Sequence, residues 1–409
     1  MRRTMAYFLV VVLVVMVFSA MSTSVSGEYV GNVEILADGT VDPADAPISV
    51  AGMIYTLTDD ISGMIRIRMS GITLDGAGHT VDGSGGGPGI LAVGLTDITI
   101  KGFNVKNFGN GIVLAGCGSS TVKENTASGC YDSGIFLVNS NGNTVKDNKV
   151  HDNYWEGIWL QSSSNNIIKD NEAWNQNEGG IFLWYWSNNN IITDNDLHDN
   201  GDSNWGAAIF LSRYCENNII KNNDLSYRNC VGVVLNIESN NNLVTENRIF
   251  QNLAGGIYAL YESNSNIITK NIINKCYKVG QSGVRLLFSS GNTVSQNSVS
   301  NCYAGILVVN NDLANGNTIF ENTFRQNYRG LHFVGGGNNI IHHNNIIHNE
   351  RQVEDNSAGN QYDDGSAGNY WSDYTGKDAD GDGIGDTPYM IFGSAGGQDD
   401  YPLMKQWDW

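Results

Sequence analysis

The stretch Gly157-Ile-Trp-Leu-Gln-Ser-Ser-Ser-Asn-Asn-Ile-Ile-Lys-Asp-Asn171 decides how this chain is read. It holds two phrases. One is Gly-apolar-x-apolar, starting at Gly157. The other, Asn166-Ile-Ile-Lys-Asp-Asn171, sets two Asn five residues apart around an apolar pair. The second phrase returns at 143–148, 190–195, 218–223, 242–247, 266–271, 292–297, 317–322 and 339–344, and an earlier copy closes at Asn125 with Ser120 in the leading slot. Successive closing Asn lie 22 to 28 residues apart. The first phrase starts at Gly111, Gly134, Gly157, Gly180, Gly232, Gly256, Gly283, Gly305 and Gly330, with Ala208 filling one slot. A period of about 24 residues marks a solenoid. Each period carries three short apolar segments, and no two-residue turn signal joins them as hairpins. Stacking the periods pairs each strand with its own copy one coil away and buries one apolar column per segment.

Composition agrees. Of 409 residues, 49 are Gly and 53 are Asn, both poor helix formers, which excludes a mainly helical protein. Hydrophobic residues are 41%, enough for a core. Asp and Glu outnumber Lys and Arg by 42 to 23, for a net charge of −19. That balance argues against nucleic acid, which needs clustered basic residues, and against anionic lipid. The Asn have a structural use: the amide both donates and accepts, so stacked copies can form a ladder, and Asn tolerates left-handed corners.

With these phrases in view, the chain resembles the right-handed parallel β-helix proteins of the NosD-like, CASH repeat type, over about Ser70 to Asn349. Tyr55-Thr-Leu-Thr-Asp-Asp-Ile-Ser-Gly63 followed by Gly71-Ile-Thr-Leu-Asp-Gly-Ala-Gly-His-Thr-Val-Asp-Gly83 resembles the cap of that group. The expected fold is an all-β, pectate-lyase-like right-handed β-helix of about 11 to 12 coils. The expected organisation is a signal peptide over 1–27, a cap over 28–69, repeats over 70–349 and an extension over 350–409. The signal peptide is read from Arg2 and Arg3, the apolar run Met5–Phe18 and the small residues up to Gly27. That run is shorter than the roughly 20 residues a membrane span takes. The mature chain is therefore expected outside the cytoplasm, secreted or at the cell surface, without membrane insertion. The fold hosts many activities, so it does not fix a function.

In each Gly-apolar-x-apolar strand, x should face outward. Down the stack x reads Val113, Phe136, Trp159, Phe182, Phe210, Val234, Tyr258, Arg285, Leu307 and His332. Phe136, Trp159, Phe182 and Phe210, with Trp155, Trp174, Trp184, Trp186 and Trp205 in or beside the same coils, predict an exposed aromatic strip. Aromatic faces stack on the C–H faces of sugar rings, so a polysaccharide is the expected partner. A covering loop, a subunit or another surface protein is the competing use. Glycoside hydrolysis needs two carboxylates about 5–10 Å apart. No x position is acidic, and the candidates Asp152, Glu156, Glu178, Asp199 and Asp202 fall in turns. A second cluster, Tyr258, Arg285 and His332, could serve uronate lyase or epimerase chemistry, with Arg holding the carboxylate and Tyr or His taking the C5 proton.

The segment Gly368-Asn-Tyr-Trp-Ser-Asp-Tyr-Thr-Gly-Lys-Asp-Ala-Asp-Gly-Asp-Gly-Ile-Gly-Asp386 places Asp378, Asp380, Asp382 and Asp386 in D-x-D-x-D-G-x-x-D spacing. Alternate carboxylates on a tight loop suit Ca²⁺, although position twelve is Tyr389 instead of Glu. The segment resembles the terminal extension of archaeal surface β-helix proteins. The family resemblance also implies an accessory role in extracytoplasmic copper-enzyme maturation. The seven His are scattered, with His342, His343 and His348 falling in the last coil near His332 and His151 and His198 two coils apart, so copper is not expected from the pattern. Cys276 and Cys302 occupy one repeat slot on adjacent coils, near enough for a disulfide, the leading expectation, or a buried thiol pair; Cys117, Cys130, Cys215 and Cys230 have no readable partners. The leading expectation is thus an exported, glycan-binding surface protein. A polysaccharide lyase, epimerase or hydrolase and a copper-enzyme accessory are the alternatives.

Overall fold

A computed structural model describes residues 29–201, 206–228, 230–276, 278–309 and 316–409. The expected signal peptide, Asp202 and Trp205 lie outside them. The described residues hold strands and no helix, and three long parallel sheets of 15, 15 and 14 strands account for nearly all of them. Each coil gives one strand to each sheet. In one coil Glu156–Gln161 lies in the second sheet, Ile167–Lys169 in the third and Glu172–Trp174 in the first. Within the repeats each strand pairs with its equivalent one coil away, so Ile158 faces Ile135 and Ile181, and Ile168 faces Val145 and Ile192. About 12 turns of about 24 residues make a right-handed β-solenoid, the hand that parallel crossovers take.

Inward positions are Ile, Leu and Val with almost no exposed surface, joined in one continuous core. Each such side chain contributes about 1.5–3 kcal/mol by leaving water. The Gly that opens the second-sheet strand is there because the coils touch: a Cβ at Gly157 would lie 2.6 Å from the Gly180 carbonyl oxygen.

The corners are held by buried polar ladders. Asn125, Asn148, Asn171, Asn195, Asn223, Asn247, Asn271, Asn297, Asn322 and Asn344 are buried between the third and first sheets. The Oδ1 of Asn171 accepts the backbone N–H of Asn148 at 3.1 Å and its Nδ2–H at 3.0 Å. The Nδ2 of Asn171 in turn donates to the carbonyl of Val145 at 3.0 Å. A corner leaves backbone groups that no ladder of strands can pair, and the amide satisfies them. The left-handed residue is not this Asn, as expected from the sequence, but the one before it: Asp147, Asp170, Asp194 and Glu246 have φ of 53 to 58°. A second Asn ladder, from Asn143 to Asn339, holds the corner between second and third sheets, with a Ser ladder beside it.

This geometry also decides between the two expectations for Cys276 and Cys302, against the disulfide and for the buried thiol pair. Cys276 and Cys302 are buried thiols, as are the other four Cys. Cys117 and Cys215 fill slots of the Ser ladder, whereas Cys130, Cys276 and Cys302 fill slots that other coils give to Asn153, Gln176 and Asn327. Equivalent residues on adjacent coils point the same way at the strand spacing of about 4.8 Å, wider than the roughly 3.8 Å between Cβ atoms in a disulfide. The Cys276 and Cys302 thiols hydrogen-bond instead, and both are deeply buried.

Both ends join the stack. Residues 29–69 already contribute strands, with Val33–Ile35 pairing Ile65–Ile67 and the hairpin Ile48–Ala51/Ile54–Leu57 entering the third sheet. At the other end Arg351–Asp355 and Tyr370–Trp371 add last strands to the second and first sheets. The Asn ladder ends on Asn369, which donates its N–H to Asp399 at 2.8 Å; Trp371 Nε1 donates to the same carboxylate at 2.8 Å.

Candidate functional site

The x positions stand in one register. Val113, Phe136, Trp159, Phe182, Phe210, Val234, Tyr258, Arg285, Leu307 and His332 are successive partners, and Glu354 extends the column. The aromatic part is a stacked array. Phe136 and Trp159 lie 4.4 Å apart at 23°, Trp159 and Trp184 6.0 Å apart at 28°, and Phe182 and Phe210 meet edge to face at 5.3 Å. Trp184, two residues along the same strand as Phe182, brings in a side row of Tyr185, Trp186 and Tyr214, the last two stacked at 5.8 Å.

Exposure differs from the expectation. Phe136, Trp159, Phe182 and Phe210 are half-buried because the rings cover one another, whereas Trp186 is 58% exposed. The Trp159 Nε1–H is buried without a partner, a donor held at the array and left unpaired. Trp174 does not belong to this face. It lies in the first sheet, sandwiched between His151 at 4.4 Å and His198 at 5.8 Å.

The corner between the first and second sheets holds what the sequence reading missed. Tyr131 and Tyr154, 61% and 52% exposed, stack in parallel at 5.1 Å. They line an open groove of about 530 Å³ with Phe108, Asp152, Asn175 and Asn177. Their spacing of 23 residues, one period, was the available signal. Trp155 packs edge-on to Tyr154 at 6.0 Å. The next residue, Glu156, is buried, with Glu178 and Asp132 as charged neighbours. Burial, with those two carboxylates adding to it, pushes the Glu156 carboxyl up to about 8; burial also raises Asp132, whose Oδ2 accepts Asn110 Nδ2–H at 3.2 Å. The sequence placed Glu156 and Glu178 in turns; it could not tell that Glu156, at the head of a strand, is buried and protonated at neutral pH.

The Tyr258–Arg285–His332 cluster divides. The Arg285 guanidinium sits 5.7 Å from the centre of the Tyr258 ring on the adjacent coil. The Tyr258 hydroxyl lies 2.6 Å from the Ala254 carbonyl and 2.8 Å from Gln281 Oε1, and accepts the Ser282 N–H at 3.3 Å. Burial pushes it up to about 12, so it is no proton-abstracting base at neutral pH. His332 is three strand spacings from Tyr258, about 14 Å. Its neighbours are Arg329, Glu354 and Arg351, an ion-paired group with Arg329 Nε 2.6 Å from Glu354, and burial lowers its pKa. These three residues therefore do not form one centre.

In the extension, carboxylate oxygens of Asp378, Asp380 and Asp382 all lie within 4.8 Å of one another. Asp378 ties the loop by accepting the N–H of Gly381 at 2.7 Å and Gly383 at 3.0 Å. Asp386 is outside that group of three and accepts the Ala379 N–H at 2.8 Å. On the last coil His342, at the end of a third-sheet strand, and His343, at the corner after it, lie together, apart from His332 in the second sheet and His348 at the next corner.

The chain matches the family described as periplasmic copper-binding protein (NosD) over residues 63–255 and 238–376. No curated protein matches it. Among solved structures it is similar to the periplasmic alginate epimerase AlgG, at 17% identity and a TM-score of 0.41, covering 76% of this chain and 80% of that one. It is similar also to the A-module of the mannuronan C-5 epimerase AlgE6 of Azotobacter vinelandii, at 15% and 0.48, covering 66% and 82%. A third is the tailspike protein of E. coli bacteriophage HK620 in complex with pentasaccharide, at 12% and 0.46, covering 76% and 63%. At these values the likeness concerns the fold. The family match spans well over half of the sequence, and the chain belongs to the NosD family.

Proposed function

We propose that this is an extracytoplasmic protein that binds a polysaccharide across the aromatic column and the adjoining tyrosine groove. The carrying observation is the array of Phe136, Trp159, Trp184 and Phe182, flanked by the stacked pair Tyr131 and Tyr154. Exposed faces of Tyr131, Tyr154 and Trp186 offer platforms for sugar rings, and Asp152, Asn175 and Asn177 offer hydrogen bonds to hydroxyls. Trp155 and Phe210 border this face; Trp174, on the neighbouring sheet, is outside it. Location outside the cytoplasm is supported by the leader read over 1–27 and by the periplasmic description of the family. Titrating the protein with neutral and acidic polysaccharides while following Trp fluorescence tests the reading. Saturable quenching or enhancement is expected, and silence with every glycan of both classes sinks it.

For the C-terminal loop the same proposal includes Ca²⁺ on Asp378, Asp380 and Asp382, a hard-oxygen set that suits that ion, with Asp386 closing the loop. A second reading, an accessory in extracytoplasmic copper-enzyme maturation, is favoured by the copper-binding description of the family. Copper content of the protein purified from its own extracytoplasmic compartment separates it from the first.

A further inference from the structure

We propose that His342, His343 and Asp364 form a binding site for a divalent transition-metal ion of the kind imidazole prefers, built where the last coil meets the C-terminal extension. His342 ends the third-sheet strand Ile340–His342 and points outward; His343 takes the left-handed corner position, with φ of 55°. In this register the left-handed turn swings the corner side chain toward its neighbour. Earlier coils use it for adjacent ion pairs: Lys123–Glu124 at 2.9 Å, Lys146–Asp147 at 3.1 Å and Lys169–Asp170 at 3.2 Å. The last coil puts two imidazoles in those positions, and their Nδ1 atoms approach to 2.5 Å. Two ring nitrogens ligating one ion at about 2.0–2.1 Å stand about 3 Å apart, so a small opening of the pair admits it.

The third donor comes from the extension and is held in advance. Asp364 Oδ1 accepts the N–H of Ser366 at 2.9 Å, its hydroxyl at 2.7 Å and the N–H of Ala367 at 2.9 Å. That leaves Oδ2 turned to His343 Nδ1, at 4.0 Å. One ligand atom from each of the three residues lies within 4.8 Å of the others. The rings are fixed from outside. Phe320 stacks on His342 at 5.4 Å and 7°, and Trp407 meets His343 edge-on at 4.0 Å. Trp407 is itself pinned by two backbone hydrogen bonds with the Asn345 amide, at 2.8 and 2.9 Å. A pair of imidazoles with one carboxylate, oriented by surrounding contacts, suits Cu²⁺, Ni²⁺ or Zn²⁺ and gives Cu²⁺ the highest affinity. This inference stands on the last coil and holds whether or not the aromatic face takes a glycan.

The test is titration of the whole purified protein with a Cu²⁺ salt, in calcium-containing buffer so that the acidic loop is occupied by the competing ion. One equivalent is expected, with an electron paramagnetic resonance spectrum showing coupling to imidazole nitrogens. His342→Gln and His343→Gln should each weaken binding about tenfold or more. His151→Gln and His198→Gln, on the distant first-sheet column, should leave it unchanged. Asp364→Asn keeps the Oδ1 acceptor that shapes the turn and removes the charge, so it should weaken Cu²⁺ while circular dichroism stays native. Binding that survives intact in the His342→Gln/His343→Gln double variant overturns the site, as does a wild-type spectrum without nitrogen coupling. A double variant that melts lower yet binds Cu²⁺ as before assigns the pair to docking Trp407 instead.

Discussion

Two columns run the length of this solenoid, and they follow opposite rules. The inward corner column repeats one residue, Asn, from Asn125 to Asn344, and every copy is buried. The outward column of the second sheet changes at almost every coil, from Phe136 and Trp159 through Tyr258 and Arg285 to His332 and Glu354. The backbone beneath both is the same. The corner must satisfy identical backbone groups at each turn, so one side chain is selected throughout. The outer face has no such obligation, and its residues are available to contact something else.

Breaking the inner column should have the largest effect. Asn223→Ala removes the acceptor for the N–H and Nδ2–H of Asn195, at 3.0 and 2.9 Å, and the donor to Ile192 O at 3.0 Å. Leaving buried groups unpaired costs about 1–3 kcal/mol each, so a clear fall in thermal midpoint is expected in calorimetry. An unchanged midpoint means that water replaces the ladder.

Glu156 gives an intermediate effect at the edge of the outer column. Its folded pKa is raised from the ordinary 4.5 to about 8, so the folded chain holds a proton that the unfolded chain releases. The associated stability is complete below about pH 4.5 and is lost as pH rises toward 8. Across that window the slope reaches about 1.4 kcal/mol per pH unit at most. Glu156→Gln should flatten this part of the stability profile; a wild-type profile rising between pH 5 and 8 contradicts the buried protonated acid.

The smallest effect concerns the thiols. Reductant should leave the melting curve unchanged, and alkylation in denaturant without reductant should label six Cys. Fewer labels would show that a disulfide has displaced a ladder slot.

The comparison of columns also explains what the sequence disclosed. The solenoid, its period and the register of Val113 to His332 were legible because Asn and Gly recur at fixed spacing and side chains alternate. The half-burial of Phe136 to Phe210 was not, because rings shield one another across coils and local spacing does not record it. Trp174 belongs to the first sheet, between His151 and His198 one period away on either side, and its closeness in sequence to the aromatic coils does not reveal that. A shared slot puts Cys276 and Cys302 on adjacent coils but does not distinguish a disulfide from a buried thiol pair; that slot holds Asn or Gln on other coils. Glu156 and the His342–His343 pair depend on burial and on a left-handed corner, which residue identity alone does not reveal.

The fold resides in the inner column, and the proposed glycan recognition in the outer one. The most direct measurement is polysaccharide affinity and melting midpoint on two variants side by side, Trp159→Ala and Asn223→Ala. The account predicts that Trp159→Ala loses most of its glycan affinity with a nearly native midpoint, while Asn223→Ala melts lower yet binds as the wild type does below its transition. Glycan binding unaltered in Trp159→Ala would contradict it.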